Sequence, residues 1–135
     1  MASPAYRLCP ATVLIADDED VVRSLMARVL EDQGYRVIRA QDGFVAWELL
    51  QRAMGSIDAI IVDVVMPRMG GLELAARIAG LPKAPPLIMT SAYPYNRAVL
   101  DHPFLAKPFR PDQLVTMVGR ILGVTERPQP LEVQS

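Results

Sequence analysis

Five residues of this chain combine the chemistry of a cation and phosphate site with positions from which they could form one. Asp17 and Asp18 follow the apolar run Thr12 to Ala16, Asp63 ends the run that begins at Ala59, Ser91 follows Leu87 to Thr90, and Lys107 follows Phe104 to Ala106. Three carboxylates brought together repel, and a divalent cation relieves that repulsion while leaving positions for water and a phosphoryl oxygen. Magnesium suits all-oxygen ligation with few protein carboxylates. A carboxylate held beside such a metal is a competent nucleophile toward phosphorus and gives an aspartyl-phosphate; Lys107 would neutralise charge on the transferred group, and the Ser91 hydroxyl could donate to a phosphoryl oxygen. Taken singly, each has a bland explanation: Asp18 as a helix cap, Ser91 as a turn residue, Lys107 as a solvated charge. Their shared position at the carboxyl ends of apolar runs is what scattered surface charge would seldom produce.

The elements that must position these residues follow from the pattern. Short runs of aliphatic and β-branched residues bounded by polar ones are the signature of strands buried on both faces of a parallel sheet. In open α/β sheets, the crevice outside the carboxyl ends of the strands is where ligands bind. After the first run, Val21, Val22, Leu25, Met26, Val29 and Leu30 share a helical face, which predicts a helix over roughly 19–33 with Gly34 where it should stop. Tyr35 to Ala40 is a short strand, and Asp42 is a credible N-cap for a helix striped by Ala46, Leu49, Leu50 and Ala53. Ala59 to Asp63 is the third strand. A loop with Pro67, Gly70 and Gly71 leads to a helix marked by Leu72, Ala75, Ala76 and Ile78, ending near Gly80. Leu87 to Thr90 is the fourth strand, residues 95–100 leave room for only a short helix, and Phe104 to Ala106 is the fifth strand. Pro111 opens a last amphipathic helix carrying Leu114, Val115, Val118, Ile121 and Leu122. Five strands alternating with five helices predict right-handed crossovers and a three-layer, doubly wound α/β fold.

Length and composition set the bounds. A chain of 135 residues holds one domain with a single core and no need of disulfides. The net charge of −1 and the scatter of the basic residues give no footprint for nucleic acid or an anionic membrane, so no direct contact with either is expected. Cys9, the single cysteine, excludes an internal disulfide and a cysteine zinc cage. No stretch approaches the ~20 apolar residues of a membrane span, and a soluble, cytoplasmic protein is expected. The proline-bearing ends predict a loose arm over residues 1–10 and a loose tail over 124–135, flanking a domain over 11–123.

At these residues the chain resembles the receiver domains of response regulators. Residues 14–19 (LIADDE), 61–67 (IVDVVMP) with Gly71, 89–92 (MTSA) and 104–109 (FLAKPF) match that family's signatures in order, over about residues 12–123. The resemblance implies a flavodoxin-like sheet of order 2-1-3-4-5 and a phosphorylation switch of a two-component phosphorelay, a signalling module and not an enzyme. It implies that Asp63 accepts a phosphoryl group from the phosphohistidine of a histidine kinase or phosphotransfer protein, and that the switched surface then meets a downstream protein. By the same likeness Asp18 and Asp63 would ligate Mg2+ directly, Asp17 mostly through water, and the main-chain oxygen of Val65 would add a ligand. Lys107 and Ser91 would hold the phosphoryl group, with Phe104 at the switch-aromatic position and Pro108 following a cis peptide. Thr90 precedes Ser91, and the small Ala92 assigns the switch hydroxyl to Ser91.

Some features depart from that family's pattern. The stretch from Ser91 to Lys107 is short, which truncates the fourth helix and leaves open the oligomeric state that the family's face of fourth helix, fifth strand and fifth helix would set. The short helix and the 104–109 segment resemble receivers of hybrid histidine kinases, so an intramolecular relay or phosphate sink is the alternative function. Arg110 stands where relatives often carry a capping serine or threonine, which predicts a weaker helix start. His102 is expected to be structural or solvated, Trp47 to pack in the core, and Met66 and Met69 to make apolar loop contacts. An Asp-nucleophile phosphatase of the haloacid-dehalogenase type is disfavoured, because it needs a second acid two residues past the nucleophile, where this chain has Val65. A flavodoxin-like FMN site fails because Asp17, Asp18 and Glu19 would repel the phosphate. Val65 and Tyr93, two residues beyond Asp63 and Ser91, are placed to exclude attacking water if Tyr93 points inward, and neither can orient that water. A long-lived phosphoryl group is therefore expected.

Overall fold

The computed structural model describes residues 10–53, 55–93 and 97–123. Its elements are β1 (Thr12–Ala16), α1 (Asp20–Asp32), β2 (Arg36–Ala40), α2 (Gly43–Arg52), β3 (Ala59–Asp63), α3 (Gly71–Ala79), β4 (Leu87–Ser91), α4 (Arg97–Leu100), β5 (Phe104–Ala106) and α5 (Pro111–Ile121). The five strands form one sheet of order β2-β1-β3-β4-β5, with all pairs parallel. The expected arm and tail, apart from Pro10, lie outside the described residues, and so do residues 94–96, on which the expected start of the fourth helix falls. Among the described residues no helix is long and apolar enough to cross a membrane.

The apolar runs become strands because both sheet faces are covered. Every residue of β1, β3 and β4 is buried, whereas β2, at an edge, is exposed at Arg36 and Arg39. Alternation along the pleat sends side chains to opposite layers. Leu14, Ile60, Val62 and Met89 pack with Ala46 and Leu50 of α2, Leu74 and Ile78 of α3, and Val99 of α4. Val13, Ile15, Ile61 and Ile88 pack with Met26 and Leu30 of α1 and Leu114 and Val118 of α5. Each large aliphatic side chain buried in this way contributes about 1.5–3 kcal/mol.

Register levels the carboxyl ends. Ala16 pairs with both Ala40 and Val62, and Ser91 with Ala106, so the residues that follow β1 and β5 emerge on the same edge as the ends of β3 and β4. Two strand boundaries differ from the expected ones: β4 runs on through Ser91, and β2 begins at Arg36 and not at Tyr35. The Gly34 N–H donates to Glu31 O at 2.9 Å and the Tyr35 N–H to Leu30 O at 3.1 Å, with Gly34 at φ 95°. That is the Schellman closure of α1, and it uses Tyr35 before the strand can. At α5, Arg110 supplies no acceptor, and the Gln113 side chain closes the turn by accepting the Arg110 N–H at 2.8 Å, half of a capping box.

Candidate functional site

The pleat that sorts the core also sorts the polar ends. Asp17 continues the Val13, Ile15 alternation, Asp63 continues Ala59, Ile61, and Lys107 follows Leu105, so all three belong to the α1 and α5 side of the sheet. Ser91 instead continues Leu87, Met89 and shares the other side with Phe104. Carboxylate oxygens of Asp17, Asp18 and Asp63 lie within 4.8 Å of one another. Asp17 is fully buried and Asp63 nearly so, while Asp18 is exposed.

Lys107 ties the cluster together. Its Nζ donates to Asp17 Oδ2 at 2.8 Å, to Asp63 Oδ2 at 3.0 Å and to Glu19 Oε1 at 3.4 Å. The remaining oxygens are held by the backbone: the Glu19 N–H donates to Asp17 Oδ1 at 2.9 Å, and the Val65 N–H to Asp63 Oδ1 at 3.3 Å. Burial pushes the Asp63 carboxyl above its ordinary value and the Asp17 charge adds to the rise, while the hydrogen bond and charge of Lys107 pull it back. Burial disfavours the Lys107 ammonium, but its hydrogen bonds to Asp17 and Asp63 and their charges outweigh that, and its pKa is raised above the ordinary lysine value. Lys107 is therefore a fixed cation at physiological pH.

The donor set fits a hard divalent cation. Three clustered carboxylates against one ammonium leave a local charge of about −2, all of it on oxygen, which suits magnesium better than a softer metal. Asp17, Asp18 and Asp63 are the residues that could hold it. Asp63 is also fixed as a nucleophile should be, with one oxygen on Lys107 and the other on a main-chain N–H.

The remaining expected site residues are placed as follows. Ser91 is buried at the end of β4, and its Oγ accepts the Tyr93 N–H at 3.1 Å. Thr90 is turned to the other face, with its hydroxyl 3.5 Å from Val62 O. Phe104 is half-buried against the α2 and α3 layer. The Lys107–Pro108 peptide is cis. Val65 is 56% exposed and Tyr93 66% exposed, so Tyr93 does not point inward and the shielding assigned to it is absent. Trp47 packs against the core, with the Arg77 guanidinium 5.8 Å from its ring centroid. Met66 and Met69 are buried, and His102 is half-buried.

Two contacts to the crevice were not foreseen from sequence. Glu19 adds a third carboxylate to Lys107, a role its place beside Asp18 could have suggested. The Arg23 side chain, mostly buried, donates from Nη1 to Asp17 O at 2.7 Å and pairs with Asp20. Its spacing from Asp20 signals only the surface pair.

Comparison with known proteins places the chain in a family. The chain matches the response regulator receiver domain family over residues 13–119. It is 36% identical over 118 residues to the sensor kinase CckA of Brucella abortus (strain 2308), covering 83% of this chain and 12% of that kinase. The crystal structure of the receiver domain from the hybrid histidine kinase CckA is similar with a TM-score of 0.74 and 34% identity, over 83% of this chain and 99% of that one. The CheX–CheY–BeF3–Mg2+ complex from Borrelia burgdorferi gives a TM-score of 0.78 at 25% identity, over 84% of this chain and 90% of that one. The chain spans no more than about half the length of the curated response regulators it is similar to.

Proposed function

The chain belongs to the response regulator receiver domain family, and from that premise we propose that Asp63 accepts a phosphoryl group from the phosphohistidine of a histidine kinase or phosphotransfer protein. The observation that carries this reading is the position of Asp63 Oδ2, 3.0 Å from Lys107 Nζ, in a cluster with Asp17 and Asp18. An Asp63 carboxylate oxygen attacks phosphorus, the phosphorus–nitrogen bond breaks, and the donor imidazole leaves with the bonding pair. Lys107 stays protonated and meets the charge of the incoming phosphoryl oxygens. Asp18 and Asp63 would hold Mg2+ directly and Asp17 largely through water, with the Val65 main-chain oxygen as a further ligand. When bound, the ion supplies electrostatic relief to phosphoryl and carboxylate oxygens. The Ser91 hydroxyl leaves the Tyr93 N–H to donate to the phosphoryl group, and Phe104, on the same side of the sheet, follows it and alters the surface that a downstream protein reads.

Treatment with acetyl phosphate and magnesium tests this. Mass spectrometry should find one phosphoryl group on the peptide containing Asp63, absent in Asp63→Asn; label undiminished in that variant rules the assignment out. A second reading, the receiver of a hybrid kinase serving as relay or phosphate sink, is favoured by the likeness to the CckA receiver. The two separate on whether phosphate returns from Asp63 to a histidine phosphotransfer protein. Hydrolase chemistry is disfavoured by Val65, which offers no acid where the phosphatase mechanism needs one.

A further inference from the structure

The loop from Val64 to Gly70 leaves Asp63 and carries Val65, yet its far side is held from outside the crevice. Arg68 occupies left-handed backbone at φ 67°, a conformation that a residue with a Cβ keeps only where its surroundings enforce it. Its Nε donates to Asp42 Oδ2 at 3.1 Å and its Nη2 lies 3.0 Å from the same oxygen. The other oxygen of Asp42 accepts the Val45 N–H at 2.9 Å, so one buried carboxylate serves both the cap of α2 and the loop. The guanidinium also lies 4.7 Å from the Phe44 ring centroid, a cation–π contact. Between these residues, a Cβ on Gly43 would come within 2.1 Å of Met69 O, so only glycine lets the start of α2 and the loop approach this closely.

On its near side the loop is pinned by the Val64 N–H on Thr90 O and the Gly71 N–H on Val64 O, both at 2.9 Å. The contact that reaches Asp63 is weaker, since the Val65 N–H to Asp63 Oδ1 distance is 3.3 Å, at the long end for a hydrogen bond. A small shift of the loop would break it. We propose that Arg68 is a positioning residue for the Asp63 site, holding the loop through Asp42 and Phe44 so that the Val65 main chain stays against the acceptor carboxylate. The role rests on the reading of Asp63 as phosphoryl acceptor. Among the described residues the polar and ring partners of Arg68 are Asp42 and Phe44, outside the crevice, so it acts through the loop, as partners behind a metal ligand do.

Arg68→Gly is the informative substitution, because it removes the guanidinium while suiting the backbone and leaving Asp42 to cap α2. In metal-free protein, amide exchange at Val65 should quicken about tenfold, well beyond what the small accompanying shift of the urea midpoint accounts for, a response that a purely structural role would not give. The Mg2+ dissociation constant by calorimetry should rise about tenfold, and the rate of labelling by acetyl phosphate should fall at low Mg2+ and recover at saturating Mg2+. Asp42→Asn keeps a cap oxygen and weakens the pair, so it should shift Val65 exchange in the same direction. The double variant should be no worse than the more severe single one. Wild-type exchange and Mg2+ affinity in Arg68→Gly would overturn the positioning role. Wild-type protein that neither binds Mg2+ nor takes phosphate would instead overturn the reading of Asp63, whatever the exchange at Val65 shows.

Discussion

The carboxyl edge of the sheet has two unlike halves. At the ends of β1, β3 and β5, Asp17, Asp63 and Lys107 are drawn into one buried ionic cluster whose oxygens are also fixed by main-chain donors. At the end of β4 a single buried hydroxyl contacts the next turn, Tyr93 stands 66% exposed, and Val99 of α4 is buried. The first half is held together by charge between strands and by main-chain donors. In the second, the described partner of the Ser91 hydroxyl is the Tyr93 N–H of the next turn. One half is thus cross-linked by charge between strands, whereas the other, although β4 itself is buried throughout, ends in a hydroxyl that meets only the following turn among the described residues.

Substitutions that take away one anchor from each half test the contrast, and the largest effect belongs to the ionic cluster. Lys107→Ala leaves Asp17 and Asp63 without their cation, with the side chains of these acids no more than 10% exposed, so stability without metal should fall by about 3 kcal/mol. Magnesium should return part of it, because the ion binds only the folded cluster. A urea titration showing a loss below about 1 kcal/mol would mean that the cluster does not hold its half together. On the other side, Val99→Ala removes a buried branch and should cost about 1.5 kcal/mol. That cost should appear first as faster amide exchange in α4, while β1 still exchanges only by global unfolding. Equal protection of α4 and β1 would break the contrast.

The ionic cluster was legible in sequence and the direction of the turn after β4 was not, for physical reasons. Asp17 and Asp63 sit at fixed offsets from runs whose burial on two faces admits one register, and Lys107 follows an edge strand whose buried Leu105 sets the same alternation, so the pleat decides their direction. The order 2-1-3-4-5 and the doubly wound layers follow from the same alternation. Tyr35 was misplaced by one residue because a helix cap and a strand compete for it, and Gly34 favours the cap. The inward direction given to Tyr93 had no such pleat behind it, since it lies beyond the end of β4. Arg68 carried no signal at all: its partners Asp42 and Phe44 are distant in sequence, and its left-handed backbone lies at a position not held by glycine.

A third substitution sharpens the boundary between loop and sheet. Asp42 is buried, which would raise its pKa, but the Val45 N–H and the Arg68 pair outweigh that and lower it. A depressed carboxyl contributes stability above its unfolded value near 3.8 and loses it as pH falls through the lower folded value. Asp42→Asn keeps the cap but weakens the bond to Arg68, whose side chain is 53% exposed, so the discounted cost at neutral pH is about 0.5–1 kcal/mol. Wild type and variant should converge as the medium is acidified below pH ~4. A gap that persists unchanged at low pH would show that the Asp42 charge plays no part in it.

The smallest effect concerns how long the phosphoryl group lasts, and it asks whether the turn after β4 guards the ionic cluster. Hydrolysis needs water in line with the Asp63–phosphorus bond, and neither Val65 nor Tyr93 can orient it as an acid or amide would. Both side chains are more than half exposed, but they belong to different halves: Val65 is held next to Asp63 by its N–H, whereas Tyr93 extends from the turn after β4. Val65→Asn introduces an amide at the fixed position and should speed loss of phosphate about threefold, or roughly 0.7 kcal/mol of barrier. Tyr93→Ala removes a ring already turned to solvent and should change the rate less. Decay of the phosphorylated protein followed for both variants decides between them. Faster loss in Tyr93→Ala than in Val65→Asn would mean that the β4 turn closes over Asp63 once phosphate is bound, and that the two halves act as one in the phosphorylated state.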